Sequence, residues 1–376
     1  MIVFNKSPLV ENSHKYINDA LSRKTSGDGI YTKKCATWIE SNCNTPRALL
    51  TTSCSHALDM AAKLCNIKPG DEIIMSSYTF PSMANAFVAF GAKIVFVDIR
   101  PDTMNIDENL IEDAITKNTR VIVPMHYAGV GCEMDCIMDI AKRHELMVVE
   151  DAAQSIIATY NSKPLGSFGD YGCLSFHETK NLTMGEGGAL LIRNPDIIPV
   201  AEIIREKGTN RSRYFRGEVD KYSWVDWGSS YLPSDINAAY LWSQLEIADE
   251  IIKRRMQIWN IYNEALSPLV ERGFIELPFI PSNCTHNAHM FYLKVNNLDE
   301  RDQLINHLKS NGVYAVFHYV PLHSSQAGLK FGRFHGIDVH TTKESHRLVR
   351  IPLWYDLTDN EVGFVCDRIL RYFHVN

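Results

Sequence analysis

Lys180 and Asp151 are the two residues of this chain whose types and spacing point to covalent chemistry. Asp151 follows directly on the apolar run Leu146-Met147-Val148-Val149-Glu150 and leads into Ala152-Ala153-Gln154. A carboxylate at the end of a buried strand needs a cationic or hydrogen-bonding partner to offset its desolvation, although strand-end aspartates also serve simply to cap the next helix. Lys180 lies in Ser175-Phe176-His177-Glu178-Thr179-Lys180-Asn181, which is closed by Gly185-Glu186-Gly187-Gly188. Such a glycine cluster lets the backbone approach a ligand closely. A loop lysine is ordinarily a solvated surface group. At this distance after Asp151 it has a second use: its amine forms a Schiff base while the carboxylate holds a pyridinium nitrogen, the two protein groups that pyridoxal phosphate (PLP) chemistry requires.

That cofactor also needs an anion cradle and a face to stack on. Thr52-Ser53-Cys54-Ser55-His56-Ala57 stands between an expected strand and its helix, where N–H groups, hydroxyls and the helix dipole converge on a phosphate. The same cluster also reads as a plain N-cap; together with Ser175 it makes a cup. Tyr78, after the second expected strand, either stacks on a heteroaromatic ring or half-fills the strand end as core.

The elements that must position these residues alternate along the chain. Buried strands are expected at Arg47 to Thr52, Glu72 to Ser76, Lys93 to Val97, Arg120 to Met125, Leu146 to Glu150, Tyr171 to Phe176 and Ala189 to Arg193, with amphipathic helices between the first five. This pattern predicts an α/β fold with a mainly parallel sheet and ligands at the carboxyl ends of its strands. From about Ser234 a long helical pattern runs through Leu269. A smaller α+β unit follows, with strands at Met290 to Val295 and Tyr314 to His318 and helices at Glu300 to Ser310 and Asp359 to Phe373. The expected division is a large domain over 1–250 and a small C-terminal domain over 251–376.

Composition limits the partners. The chain has 376 residues, enough for two or three folding units, and 38 Lys plus Arg against 44 Asp plus Glu give a net charge of −6. Without a concentrated basic block, nucleic acid and anionic membranes are not expected partners. Neither a secretory leader nor an apolar run near the roughly 18 residues of a membrane helix is present, so a cytoplasmic protein is expected. The nine cysteines are scattered, with no Cys-x-x-Cys pair; they support neither a disulfide framework nor a zinc ribbon. Cys132 and Cys136, four apart on an expected helix, lack neighbouring His or Cys partners and read as reduced thiols, so no metal site is expected.

The Glu150–Gln154 run, the Ser175–Asn181 loop and the Gly185–Gly188 turn resemble those of the DegT/StrS family of PLP-dependent sugar aminotransferases. Pro124-Met125-His126-Tyr127-Ala128-Gly129, Ser234-Asp235-Ile236-Asn237-Ala238-Ala239 and Val316-Phe317-His318-Tyr319-Val320-Pro321-Leu322-His323 also fit, so the similarity extends over nearly the whole chain. The resemblance implies a fold-type I, aspartate aminotransferase-like transferase, active as a homodimer with sites at the subunit interface. It assigns the catalytic Schiff-base role to Lys180, the pyridinium nitrogen to Asp151 and the cofactor face or 3′-hydroxyl to Gln154. Ser55, the backbone of His56 and Ser175 match the phosphate contacts, and Tyr78 matches the stacking aromatic. Family members often carry an asparagine that reaches the neighbouring subunit's phosphate; here the segment is Gly228-Ser229-Ser230-Tyr231-Leu232, and Ser230 stands in its place.

That segment and Arg205-Glu206-Lys207-Gly208-Thr209-Asn210-Arg211-Ser212 most resemble members that convert a dTDP-4-keto-6-deoxyhexose to the 4-amino sugar of galacto configuration. Glutamate is the implied donor, and common antigen, O-antigen or another lipopolysaccharide-type glycan the implied destination. His318, Tyr319 and His323 are expected either to border the sugar pocket or to form a satisfied strand-end cluster; Arg211 and Arg213 read more simply as solvated arginines than as diphosphate ligands. Three rivals are weaker. A PLP-dependent sugar dehydratase of this scaffold replaces the lysine with histidine, a sugar-nucleotide-binding regulator needs neither Asp151 nor Lys180, and no Gly-x-Gly-x-x-Gly follows the first strand as a nicotinamide enzyme would require.

Overall fold

The apolar runs of the first half line up in one eight-stranded sheet of the computed structural model, which describes residues 1–23 and 25–375. Across the sheet the order is Arg47–Thr51, Gly188–Ile192, Tyr171–Ser175, Met147–Asp151, Thr119–Val123, Glu72–Ser76, Lys93–Val97 and Gly332–Phe334. All run the same way except Gly188–Ile192, which is antiparallel to both neighbours. All seven expected strands are present with ends shifted by at most two residues. Helices cover both faces, which is why these strands read as apolar runs rather than alternating ones. Ile73, Met75, Phe96, Val121 and Val149 pack on one side with the helices Cys54–Leu64 and Pro81–Val88. Their neighbours Ile74, Val95, Val97, Ile122 and Val148 pack on the other with Met134–Arg143.

The long helical pattern is two helices, Asp235–Leu245 and Ala248–Glu271, broken at Glu246 and Ile247. The second crosses between cores. Ala248 and Ile251 pack with the Asp235–Leu245 helix, whereas Ile258, Tyr262, Leu266 and Leu269 pack with a C-terminal core. That core holds the antiparallel pair Phe291–Lys294 and Leu348–Ile351 and the helices Leu298–Ser310 and Asp359–Tyr372. The expected strand Tyr314 to His318 does not form: Val316 alone bridges to Arg350, Tyr314 and Phe317 are exposed, and the chain leaves the sheet for the cavity described below. The C-terminal region also returns to the large sheet, where Gly332–Phe334 pairs in parallel with Lys93–Val97. A Cβ at Gly332 would lie 2.7 Å from the Ile94 carbonyl oxygen, so only glycine fits that edge.

Among the described residues no helix is long and apolar enough to cross a membrane, and no three potential metal ligands cluster. The cysteines are free thiols; Cys132 is buried just before the Met134–Arg143 helix and Cys136 is exposed on it.

Candidate active site

Asp151 ends the Met147–Asp151 strand and Ser175 ends Tyr171–Ser175. Both line a cavity of about 810 Å³, as do Ser55, Gln154 and Lys180. Adjacent residues of a strand face opposite ways, and the contrast between Glu150 and Asp151 separates support from function. Glu150 is fully buried and saturated: it accepts the N–H groups of Gly166, Phe168 and Gly169 at 2.8, 2.6 and 2.7 Å and pairs with Nε2 of His126 at 2.9 Å. Asp151, also buried, accepts among the described residues only the Ala153 N–H, at 3.0 Å. Burial holds its carboxyl above the usual carboxylate range, with that N–H, Lys180 and His126 pulling the other way. Lys180 is pushed down by burial against the opposing pull of Cys54 and Asp151, and its amine bonds to none of the described residues. A buried carboxylate short of a cation and a half-buried amine with no hydrogen bond among the described residues thus share one cavity.

The cradle is built at the start of the Cys54–Leu64 helix. Ser53 caps it by accepting the His56 N–H at 3.1 Å, while the N–H groups of Cys54 and Ser55 have no partner among the described residues. The Gly185–Gly188 turn keeps this end open: a Cβ at Gly188 would lie 2.5 Å from the Cys54 nitrogen. Free N–H groups at a helix start suit a phosphate. Asp151, Lys180 and this cradle therefore fit PLP, with the carboxylate for its ring nitrogen, the amine for its aldehyde and the helix start with Ser55 and Ser175 for its phosphate.

Four expected residues lie off the cavity. His56 has its N–H committed to Ser53, and its ring is held by Thr52 and packs tilted against Tyr231 at 5.0 Å. Tyr78 is fully buried behind Tyr319, its ring edge-on at 5.5 Å, and Phe80, two residues on and 57% exposed, lines the cavity instead. Ser230 is exposed and bridges through its backbone to Glu206. His323 is a clamp, bonded to Ser77 at 2.7 Å and paired with Asp338 at 3.2 Å. His318 and Tyr319 do line the cavity, stacked at 3.6 Å; Gln154 donates to the Tyr319 hydroxyl at 2.9 Å and accepts the Ala128 N–H at 2.7 Å. Arg211 and Arg213 pair with Glu206 and Glu218, away from it.

Sequence reasoning passed over Phe80, His289 and Arg350. Arg350 carried a signal, being the one charge inside Leu348-Val349-Arg350-Ile351. Its guanidinium donates to the Phe317 carbonyl at 3.3 and 3.1 Å, lines the cavity and has no carboxylate partner among the described residues. His289 has no such signal, since it sits in a short polar run before a strand.

The DegT/DnrJ/EryC1/StrS aminotransferase family model matches residues 8–370. An uncharacterized protein of Methanocaldococcus jannaschii is 36% identical over 337 residues, which cover 88% of this chain and 86% of that protein. The GDP-perosamine synthase of Caulobacter vibrioides is 32% identical over 330 residues, covering 82% and 85%. Among solved structures, DesV of S. venezuelae superposes with a TM-score of 0.86 at 27% identity, covering 98% of each chain. The chain belongs to the DegT/DnrJ/EryC1/StrS aminotransferase family and is a PLP-dependent sugar aminotransferase on an α/β, fold-type I scaffold.

Proposed function

We propose that the enzyme converts a dTDP-4-keto-6-deoxyhexose to the dTDP-4-amino-4,6-dideoxyhexose of galacto configuration, with glutamate as nitrogen donor, as a cytoplasmic homodimer. The observation that carries the amination is Asp151 and Lys180 in one cavity, a carboxylate that accepts the Ala153 N–H and faces no paired cation and an amine with no hydrogen bond among the described residues. When bound, PLP supplies an aldehyde for amines and a ring that accepts electrons. Asp151 keeps the ring nitrogen protonated. Lys180 Nζ takes the proton from the donor's α-carbon and, in the other half-reaction, delivers one to C4 of the sugar. Phe80 covers one side of the cavity and Gln154, with one amide hydrogen uncommitted, faces it. The lysine favours amination over dehydration.

Support for an acidic donor comes from Arg350, a cavity guanidinium held by the Phe317 carbonyl and the Phe4 ring and without a carboxylate partner among the described residues. The dTDP and galacto assignments rest on the likeness of the 205–212 and 228–232 segments. In a dimer, exposed Ser230 would contact the partner's phosphate, and exposed Tyr222, Trp224 and Trp227 would be covered. Nine free thiols suit a reducing compartment.

The test is optical and stereochemical. Protein incubated with PLP turns yellow, borohydride fixes the cofactor mass on the peptide holding Lys180, and glutamate discharges the colour. Lys180→Ala loses both fixation and turnover. NMR of the product from candidate keto sugars assigns C4; a colourless protein, or full turnover by Lys180→Ala, would refute the reading.

A further inference from the structure

The bonds around His289 fix where its ring proton is. They begin at Asn287, whose Nδ2 donates to the Gln154 and Ile156 carbonyls at 3.0 and 2.9 Å and whose Oδ1 accepts the His289 N–H at 3.1 Å. The Asn287 carbonyl accepts from Nδ2 of Asn181 at 2.8 Å. A carbonyl only accepts, so Asn181 turns its Oδ1 the other way, and that oxygen lies 2.9 Å from Nδ1 of His289. It too only accepts; Nδ1 therefore carries the proton and Nε2 is bare. Burial, with Lys180, Arg255 and Arg350 nearby, keeps the ring neutral. Buried Arg255 holds the backbone in place, donating to the carbonyls of Ala288 at 3.1 Å and His289 at 2.8 Å. His289 lines the cavity, and its Nε2 bonds to none of the described residues and is not sealed off.

We propose that His289 is a specificity-determining residue for the sugar, its bare Nε2 accepting a hydrogen bond from a hydroxyl of the hexose ring. Arg350, Lys180 and the helix-start N–H groups on this lining are donors, and its carboxylate Glu186 lies against the His177 ring at 3.4 Å. Asp151 is committed to the cofactor and the Gln154 Oε1 to Ala128. A hexose brings O–H groups that need acceptors, and a site built to bond a hydroxyl discriminates by that bond. The inference rests on the sugar-aminotransferase reading, but its first test needs no turnover.

In protein labelled with ¹⁵N-histidine, with His289 assigned by its loss in His289→Gln, the expected spectrum at neutral pH shows a protonated Nδ1 and an unprotonated Nε2. Kinetically, His289→Leu raises KM for the keto sugar about tenfold with a smaller change in kcat, as expected for one lost hydrogen bond. His289→Gln, which can return an acceptor near the Nε2 position, recovers most of that loss. A protonated Nε2 or an imidazolium overturns the proposal while leaving the aminotransferase assignment intact. So does an unchanged KM in His289→Leu, or a Gln variant no better than Leu.

Discussion

Asp151 and Lys180 were legible because each has a chemical need that its local sequence does not meet, a carboxylate at a strand end and an amine in the loop that follows another strand, with no obvious partner. Glu150, one residue earlier, has the same charge and less exposure, yet its oxygens are fully committed to backbone N–H groups and His126. What sequence cannot resolve is which of two nearby aromatics faces a ligand. Tyr78 and Phe80 both follow the Glu72–Ser76 strand, but Tyr78 is drawn into the core among Tyr127 and Tyr319. Phe80→Ala is therefore expected to weaken PLP binding roughly two- to tenfold, the worth of about 0.5–1.5 kcal/mol of ring packing. Tyr78→Phe should leave cofactor affinity unchanged within error. Titrating the apoenzyme with PLP by absorbance compares the two, and an equal loss in both would return the stacking role to Tyr78.

At the scale of elements, the parallel strands were readable because burial on both faces leaves an uninterrupted apolar run. Gly332–Phe334 was not: three residues with one glycine carry no period, and their place is set by Lys93–Val97, far away in sequence. Tyr314 to His318 had strand composition but pairs only at Val316, so contact with the cavity overrode local propensity. The loop before Phe291–Lys294 was equally silent, since its order comes from Asn287 and Arg255 binding backbone groups across the structure. Asn287→Ala removes three such bonds at a buried site and strands two carbonyls. We expect it to destabilise the protein by about 2–4 kcal/mol, read as a lower urea midpoint with an unchanged slope; a midpoint equal to wild type would show that the loop holds itself.

For the whole molecule, two properties follow from what is buried and what is not. Burial pulls His286 down to about 4 and His289 and His318 well below the usual histidine range, with Lys180 and Arg350 adding to the effect on the last two. In the unfolded chain all three protonate near 6.5. Their contribution is therefore complete above that pH and is lost as pH falls toward 4, at a limiting rate of about 1.4 kcal/mol per pH unit for each ring. Urea unfolding between pH 7 and 5 should show stability falling, opposed in part by the raised carboxyls of Asp59, Glu108 and Asp151; an unchanged slope in His286→Leu would mean that this ring is charged in the folded state. The second property is the apolar surface left over. Tyr222, Trp224 and Trp227 are 53%, 80% and 42% exposed on one stretch that also carries Ser230. The proposed second copy would cover these three bulky aromatics. Light scattering should give twice 42.7 kDa. Trp224→Glu, which places a charge on this face, should shift the mass toward one chain and, on the proposed reading of a site shared between copies, lower activity with it. A wild-type protein of single-chain mass with full turnover would separate this surface from catalysis.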